Sequence, residues 1–202
     1  MPAVPPPPNH AVSRPRVEGD REVEILKAAL RVLAEVGYDR VTMDAVATAA
    51  KASKATLYRR WSNKATLVID ALLLLKDPPA LPDEGSLRED LLATFCGIDG
   101  MLDEESVATL GSIITAINRD QEFAAEFRSR VIGPKNAITI AIFERAKARG
   151  EVREDLDPEL FGPALAGMIL HRVFVLGNKA DRPCVTSLID QIILPAALRT
   201  PH

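Results

Sequence analysis

The stretch Thr42–Trp61, TMDAVATAAKASKATLYRRW, constrains this chain most, because its spacing admits two short helices and one tight turn. Thr42 is a good N-cap, its hydroxyl able to accept from a backbone N–H two or three residues on, and Asp44 then lies in the first turn, where the helix dipole favours an acid. Met43, Val46, Ala47 and Ala50 follow at the spacing of one apolar helical face, and the small Ala47 lets a neighbouring helix approach closely. Ser53 is a second N-cap candidate, so the first helix has room for only about two turns. On the second helix Leu57 and Trp61 are four apart and can face inward, which leaves Lys54, Thr56, Tyr58 and Arg59 on the other faces.

Those exposed residue types match the chemistry of a nucleic-acid surface. Lys and Arg neutralise phosphates or pair with guanine, Thr reaches a base edge or a thymine methyl, and Tyr donates to a phosphate oxygen. From Arg40 to Lys64 six basic residues face one acid, Asp44, a local net charge of +5. The chain as a whole carries −3, divided as +4 over residues 1–76 and −7 over 77–202. The N-terminal part therefore suits a polyanion, and the acidic remainder suits another task.

The flanks complete a small helical domain. Val23, Leu26, Leu30, Leu33 and Ala34 repeat at helical spacing and end at Gly37, a residue suited to a left-handed C-cap. Beyond Trp61, Ser62 and Asn63 can cap a helix carrying Leu67, Val68, Ala71, Leu72 and Leu75. The run ILKAALRVLAEVGYDRVTMDAVATAAKASKATLYRRWSNKATLVIDALL resembles the DNA-binding domain of the tetracycline-repressor-like (TetR) family of bacterial transcriptional regulators, over about Arg21 to Leu75. The later run RAKARGEVREDLDPELFGPALAGMILHRVFVLG resembles one branch of that family's ligand-binding domains. The resemblance implies that Lys54, Thr56 and Arg59 face the major groove, while Thr42, Tyr58 and Lys64 hold phosphates. One position departs from the family pattern: the turn residue that is commonly Gly is Lys51 here, and a positive φ would cost Lys about 1 kcal/mol that Gly avoids.

The expected fold is all-α: an N-terminal three-helix helix-turn-helix DNA-binding domain with a connecting helix (residues 20–76), then a helical ligand-binding and dimerisation domain (77–202). Residues 1–19, rich in proline and without the apolar core of a secretory signal, read as a flexible arm on which Arg14 and Arg16 can reach DNA. After the Pro-rich stretch 77–85, helices are expected at about 86–101, 104–118, 121–149, 157–178 and 183–199. The third should kink or break at Gly133 and Pro134. Apolar residues load both of the last two helices widely enough for a homodimer through about 157–199. Paired recognition helices about 34 Å apart would then meet successive major grooves of a palindromic double-stranded DNA operator.

An unknown small-molecule effector is the other expected partner, in a pocket drawn from Phe95, Asp99, Met101, Phe123, Phe127, Phe143, Met168, His171 and Phe174, with Cys96 a weaker candidate. With only His10, His171 and His202 and no Gly-rich phosphate loop, a His-based triad or multi-His metal site cannot be assembled, so neither a cofactor nor catalysis is expected. Asp99, Glu104 and Glu105 are the acids on which a carboxylate-only enzyme would have to rely. No segment is long enough to span a membrane, and two isolated cysteines suit a reducing cytoplasm. Together these features describe a transcriptional regulator of the repressor kind; an architectural DNA-binding protein is the alternative, separable by footprinting.

Overall fold

The computed structural model describes residues 18–74, 80–96 and 104–198. Helix α1 (Glu18–Val36) buries Ile25, Leu26, Ala29, Val32 and Leu33, and stops at Gly37, whose φ of 72° turns the chain while its N–H bonds the carbonyl of Leu33 at 2.9 Å. A 3₁₀ turn (Tyr38–Arg40) leads to α2 (Met43–Ala49), α3 (Lys54–Arg60) and α4 (Lys64–Leu74). Asn63 caps α4, its Oδ1 accepting from the Thr66 N–H at 2.9 Å. Helix α4 buries Ala65, Leu67, Val68, Ile69 and Ala71, residues that point to several sides, because it is covered by α1 on one side and by α7 on another.

The remaining elements are α5 (Leu87–Cys96), α6 (Glu104–Arg119), α7 (Gln121–Phe127), a π-helical turn (Arg128–Ile132), α8 (Gly133–Ala148), α9 (Pro158–Phe174), α10 (Arg182–Leu188), a second π-helical turn (Ile189–Ile193) and α11 (Leu194–Ala197). The break expected at Gly133 and Pro134 takes the form of the first π turn. The second π turn interrupts what the sequence predicts as one continuous helix, and α9 ends at Phe174, short of the expected 178. Among the described residues the only β-type pairing is the single bridge Val152–Leu198, which ties the α8–α9 loop to the end of α11.

Two apolar cores result. The second core gathers Phe95, Phe143, Phe161, Leu165, Ile169, Ile189 and Ile193 from α5, α8, α9 and the closing helices. Buried Asp90 of α5 staples this domain: it accepts from Arg145 Nη2 at 2.8 Å and from the Glu84 N–H at 2.7 Å, tying the segment before α5 to α8. The first core does not stop at the linker. It joins α1–α4 to Ile113 and Ala116 of α6, Phe123 and Phe127 of α7, and Val131 of the π turn.

Tyr38 sits where these parts meet, 1% exposed. Its ring lies 4.2 Å from that of Phe123, its N–H donates to Ser112 Oγ at 2.6 Å, and its hydroxyl donates to Asp120 Oδ2 at 2.8 Å. Asp120 is also the N-cap of α7, Oδ1 accepting from the Phe123 N–H at 2.9 Å. That bond first, then the Tyr38 hydroxyl and the Lys64 charge, hold the Asp120 carboxyl below its ordinary value. Burial, reinforced by Asp120, pushes the Tyr38 phenol well above the ordinary 10.0.

Tyr38→Phe should therefore cost about 1.5–3 kcal/mol at neutral pH, the range for a hydrogen bond to a charged group. The phenol stays neutral in the fold but ionises in the unfolded chain from about pH 10, so the wild type loses stability as pH rises above that value, and the Phe variant is spared that loss. Urea unfolding of both proteins at pH 7 and pH 10.5 checks the cost and its sign.

Candidate nucleic-acid interface

The helix-turn-helix is closed by local capping. Thr42 Oγ1 accepts from the Ala45 N–H at 3.1 Å to start α2, and Ser53 Oγ accepts from the Thr56 N–H at 3.1 Å to start α3. Between them the N–H of Ala52 bonds the carbonyl of Ala47 at 2.9 Å and the N–H of Lys51 bonds that of Thr48 at 3.0 Å, the paired bonds of a Schellman turn. Lys51 occupies its left-handed position with φ 51°, the one non-glycine at positive φ among the described residues. Arg21 of α1 holds this turn from outside, Nη2 donating to the Lys51 carbonyl at 2.7 Å. No local signal marks Arg21 for this role, since the contact spans 30 positions.

Leu57 and Trp61, 0% and 2% exposed, anchor α3 to the first core and present its other side to solvent. Tyr58 is 54% exposed, and Arg59 is exposed with no hydrogen-bond or ion-pair partner among the described residues. Lys54 is exposed too, but its Nζ lies 2.5 Å from Asp44 Oδ2, an internal acid standing where a DNA oxygen would compete. The Thr56 hydroxyl shares a 2.8 Å hydrogen bond with that of Ser53. Arg60 pairs with Glu22 of α1 at 3.1 Å, which raises its pKa.

The other two sequence-derived DNA residues are placed differently. The Thr42 hydroxyl is engaged in its cap. Lys64 opens α4, yet its ammonium lies 4.4 Å from the Tyr38 ring centroid and donates to the Tyr38 carbonyl at 3.2 Å. Lys54, Thr56, Tyr58 and Arg59 thus share one exposed helix, while Thr42 and Lys64 flank it with groups already bonded to the protein.

The seven effector-pocket candidates among the described residues are spread over separate places. Phe123 and Phe127 belong to the first core beneath Tyr38, and Phe95 and Phe143 to the second, where they fill volume between helices. Phe174 is 36% exposed on α9, facing Gly111 of α6. Met168 and His171 line an open groove of about 440 Å³ on the outer side of α9 and α10, not an interior chamber with the aromatics. Asp99 and Met101 lie outside the described residues, as do residues 1–17 of the expected N-terminal arm with Arg14 and Arg16; the last two residues of that arm, Glu18 and Gly19, instead open α1. A chain with so few aromatic side chains uses most of them to fill its two cores, so helical spacing alone could not tell a lining residue from a packing one.

Comparison with known proteins decides the family. Residues 25–71 match the profile described as bacterial regulatory proteins, tetR family, and residues 81–192 match the tetracyclin repressor-like C-terminal domain. A DNA-binding transcriptional repressor TetR of Mycobacteroides abscessus is 38% identical over 181 residues, covering 86% of this chain and 92% of the relative. The chain belongs to the TetR family. A helix-turn-helix-type transcriptional regulator of Bacillus subtilis is 34% identical over 177 residues, covering 87% and 89% of the two chains. The crystal structure of a TetR-family transcription regulator superposes with a TM-score of 0.68 at 27% identity, over 90% of this chain and 100% of that one. This TetR-family protein is accordingly a DNA-binding transcriptional regulator, with the two-part helical fold expected from its sequence.

The Lys51 geometry carries a direct consequence. Lys51→Gly should stabilise the protein by up to about 1 kcal/mol by relieving the left-handed penalty, offset in part by the greater entropy of glycine in the unfolded chain. Urea unfolding midpoints of the two proteins measure the balance; a stability loss would contradict a strained Lys51.

Proposed function

We propose that this regulator works as a homodimeric repressor, reading an inverted-repeat DNA operator through α3 of each protomer and releasing it when a small molecule binds the second domain. The carrying observation is the exposed face of α3, where Arg59 and Tyr58 have no hydrogen-bond or ion-pair partner among the described residues and Lys54 is held there by a solvent-exposed ion pair. Arg59 and Lys54 act on base edges together with Thr56, and Tyr58, Lys64 and Thr42 on phosphates. Lys64 gains its phosphate by giving up the carbonyls of the 3₁₀ turn. The repressor sense is supported by the name of the M. abscessus relative.

Dimerisation is supported by an apolar strip on α9 and the closing helices. Leu160, Val175, Leu176 and Ile192 are 65%, 68%, 54% and 48% exposed, and Leu176 and Ile192 border the groove that holds Met168 and His171. A two-fold axis through this face covers the strip with its own copy and sets the two α3 helices for successive major grooves. No helix among the described residues is long and apolar enough to cross a membrane, which suits a cytoplasmic regulator.

Selection of random duplexes with the purified protein should enrich an inverted repeat; binding without any motif would favour the architectural reading. On the enriched duplex, Arg59→Ala should weaken affinity about 5- to 100-fold and relax base preference, whereas Tyr58→Phe and Lys64→Ala should weaken binding to all sequences alike. Asp44→Asn frees Lys54 and removes an acid from the face, so it should tighten binding to every duplex, most at low salt. Fluorescence anisotropy at two salt concentrations reads all four. Leu176→Glu or Ile192→Glu should move the protein from dimer to monomer in sedimentation.

A further inference from the structure

Three elements meet at one carboxylate. Asp70, in the middle of α4, accepts from the indole Nε1–H of Trp61 at 2.7 Å through Oδ2 and from Arg130 Nη2 at 2.5 Å through Oδ1. Trp61 closes α3 and is 2% exposed, so its ring cannot shift without disturbing the end of the recognition helix. Arg130 lies in the first π turn, within the region matched by the C-terminal domain profile. The Asp70 and Arg130 side chains are 22% and 38% exposed, so the pair stands at the solvent edge with its acid the more sheltered partner.

The sequence fixes the π turn at this point. Pro134 has no N–H to offer the Arg130 carbonyl four residues back. Instead the N–H of Gly133 bonds the Arg128 carbonyl, five residues back. A Cβ on Gly133 would stand 3.3 Å from that same oxygen, so glycine lets the widened turn close. The Gly-Pro pair thus holds open the turn from which Arg130 reaches α4.

We propose that Asp70 and Arg130 are positioning residues for the recognition helix. They carry the setting of the π turn in the regulatory domain to the end of α3 through Trp61, so that a change in that turn alters discrimination between operator and other DNA while the head stays folded. The proposal rests on the DNA-reading role of α3 given above. It differs from a simple brace in what it changes: a brace affects stability, whereas this path affects the orientation of the helix that reads bases.

The test uses the full-length protein, whose sole tryptophan, Trp61, makes its indole ¹H–¹⁵N resonance an unambiguous reporter. Arg130→Gln, Asp70→Asn and Arg130→Lys are compared with wild type, first without DNA and then on two probes: the duplex enriched by selection and a scrambled duplex of equal length. Arg130→Gln should shift the indole resonance and weaken binding to the enriched duplex about three- to tenfold, with less than about a twofold change on the scrambled one. Asp70→Asn should act in the same direction, and Arg130→Lys should recover part of both effects. A lower unfolding midpoint with an unmoved indole resonance and an unchanged affinity ratio would reduce Arg130 to a brace and overturn the proposal. If Asp70→Asn does not fold, the two Arg130 variants decide. If wild type enriches no sequence, operator reading fails separately, and the DNA-free indole comparison still decides: a shift on Arg130→Gln upholds the path, and its absence removes it.

Discussion

The burial of one phenol ring at the corner between α6 and α7 is the contact on which the two halves of this protein depend. Tyr38 belongs by sequence to the DNA-binding head, yet its ring packs on Phe123, its amide on Ser112 and its hydroxyl on Asp120, all from the other half. Asp120 in turn starts α7, so one carboxylate both begins a helix and receives the head. Around this point Arg119 pairs with Asp39 at 3.1 Å and Asn63 donates to Glu122 at 2.5 Å. Polar bonds at the rim and aromatic packing inside give the junction a defined orientation, where apolar contact alone would let the surfaces slide.

The charges are arranged so that an acidic protein can still approach DNA. The positive groups concentrate on and beside α3, and two are partly neutralised by nearby acids: Lys54 by Asp44 and Arg60 by Glu22. Exposed pairs of this kind are each worth little, about 0–1 kcal/mol, so DNA can displace them cheaply. Arg59 stands apart because no acid among the described residues pairs with it. Helix α3 therefore combines a guanidinium unpaired among the described residues with a lysine held by an exposed acid.

What could be read from the sequence was what is local. The caps at Thr42, Ser53 and Asn63, the Gly37 stop, the position of Lys51 and the inward pair Leu57 and Trp61 each follow from a few neighbouring residues, and each stands in the structure as the spacing implies. The Gly133–Pro134 break was legible for the same reason, although its π form was not. Contacts between distant segments were hidden: Arg21 on the Lys51 carbonyl, Asp70 between Trp61 and Arg130, Asp90 beneath Arg145. The aromatic pocket candidates illustrate a related point. Helical spacing shows that Phe123 and Phe127 face inward, but not which of two interiors they enter, and they enter the head's.

The shared core also bears on how freely such proteins can exchange parts. A head cut away after α4 would expose the surface now covered by Ile113, Phe123, Phe127 and Val131, and Tyr38 would lose the partners of its amide and hydroxyl. Recombination between relatives at the linker would therefore join a head to a foreign α6–α7 corner, and the chimera would inherit a mismatched cavity or clash at its centre. The unit that can be transplanted intact is discontinuous in sequence, the first four helices together with the strip of α6, α7 and π turn that seals them.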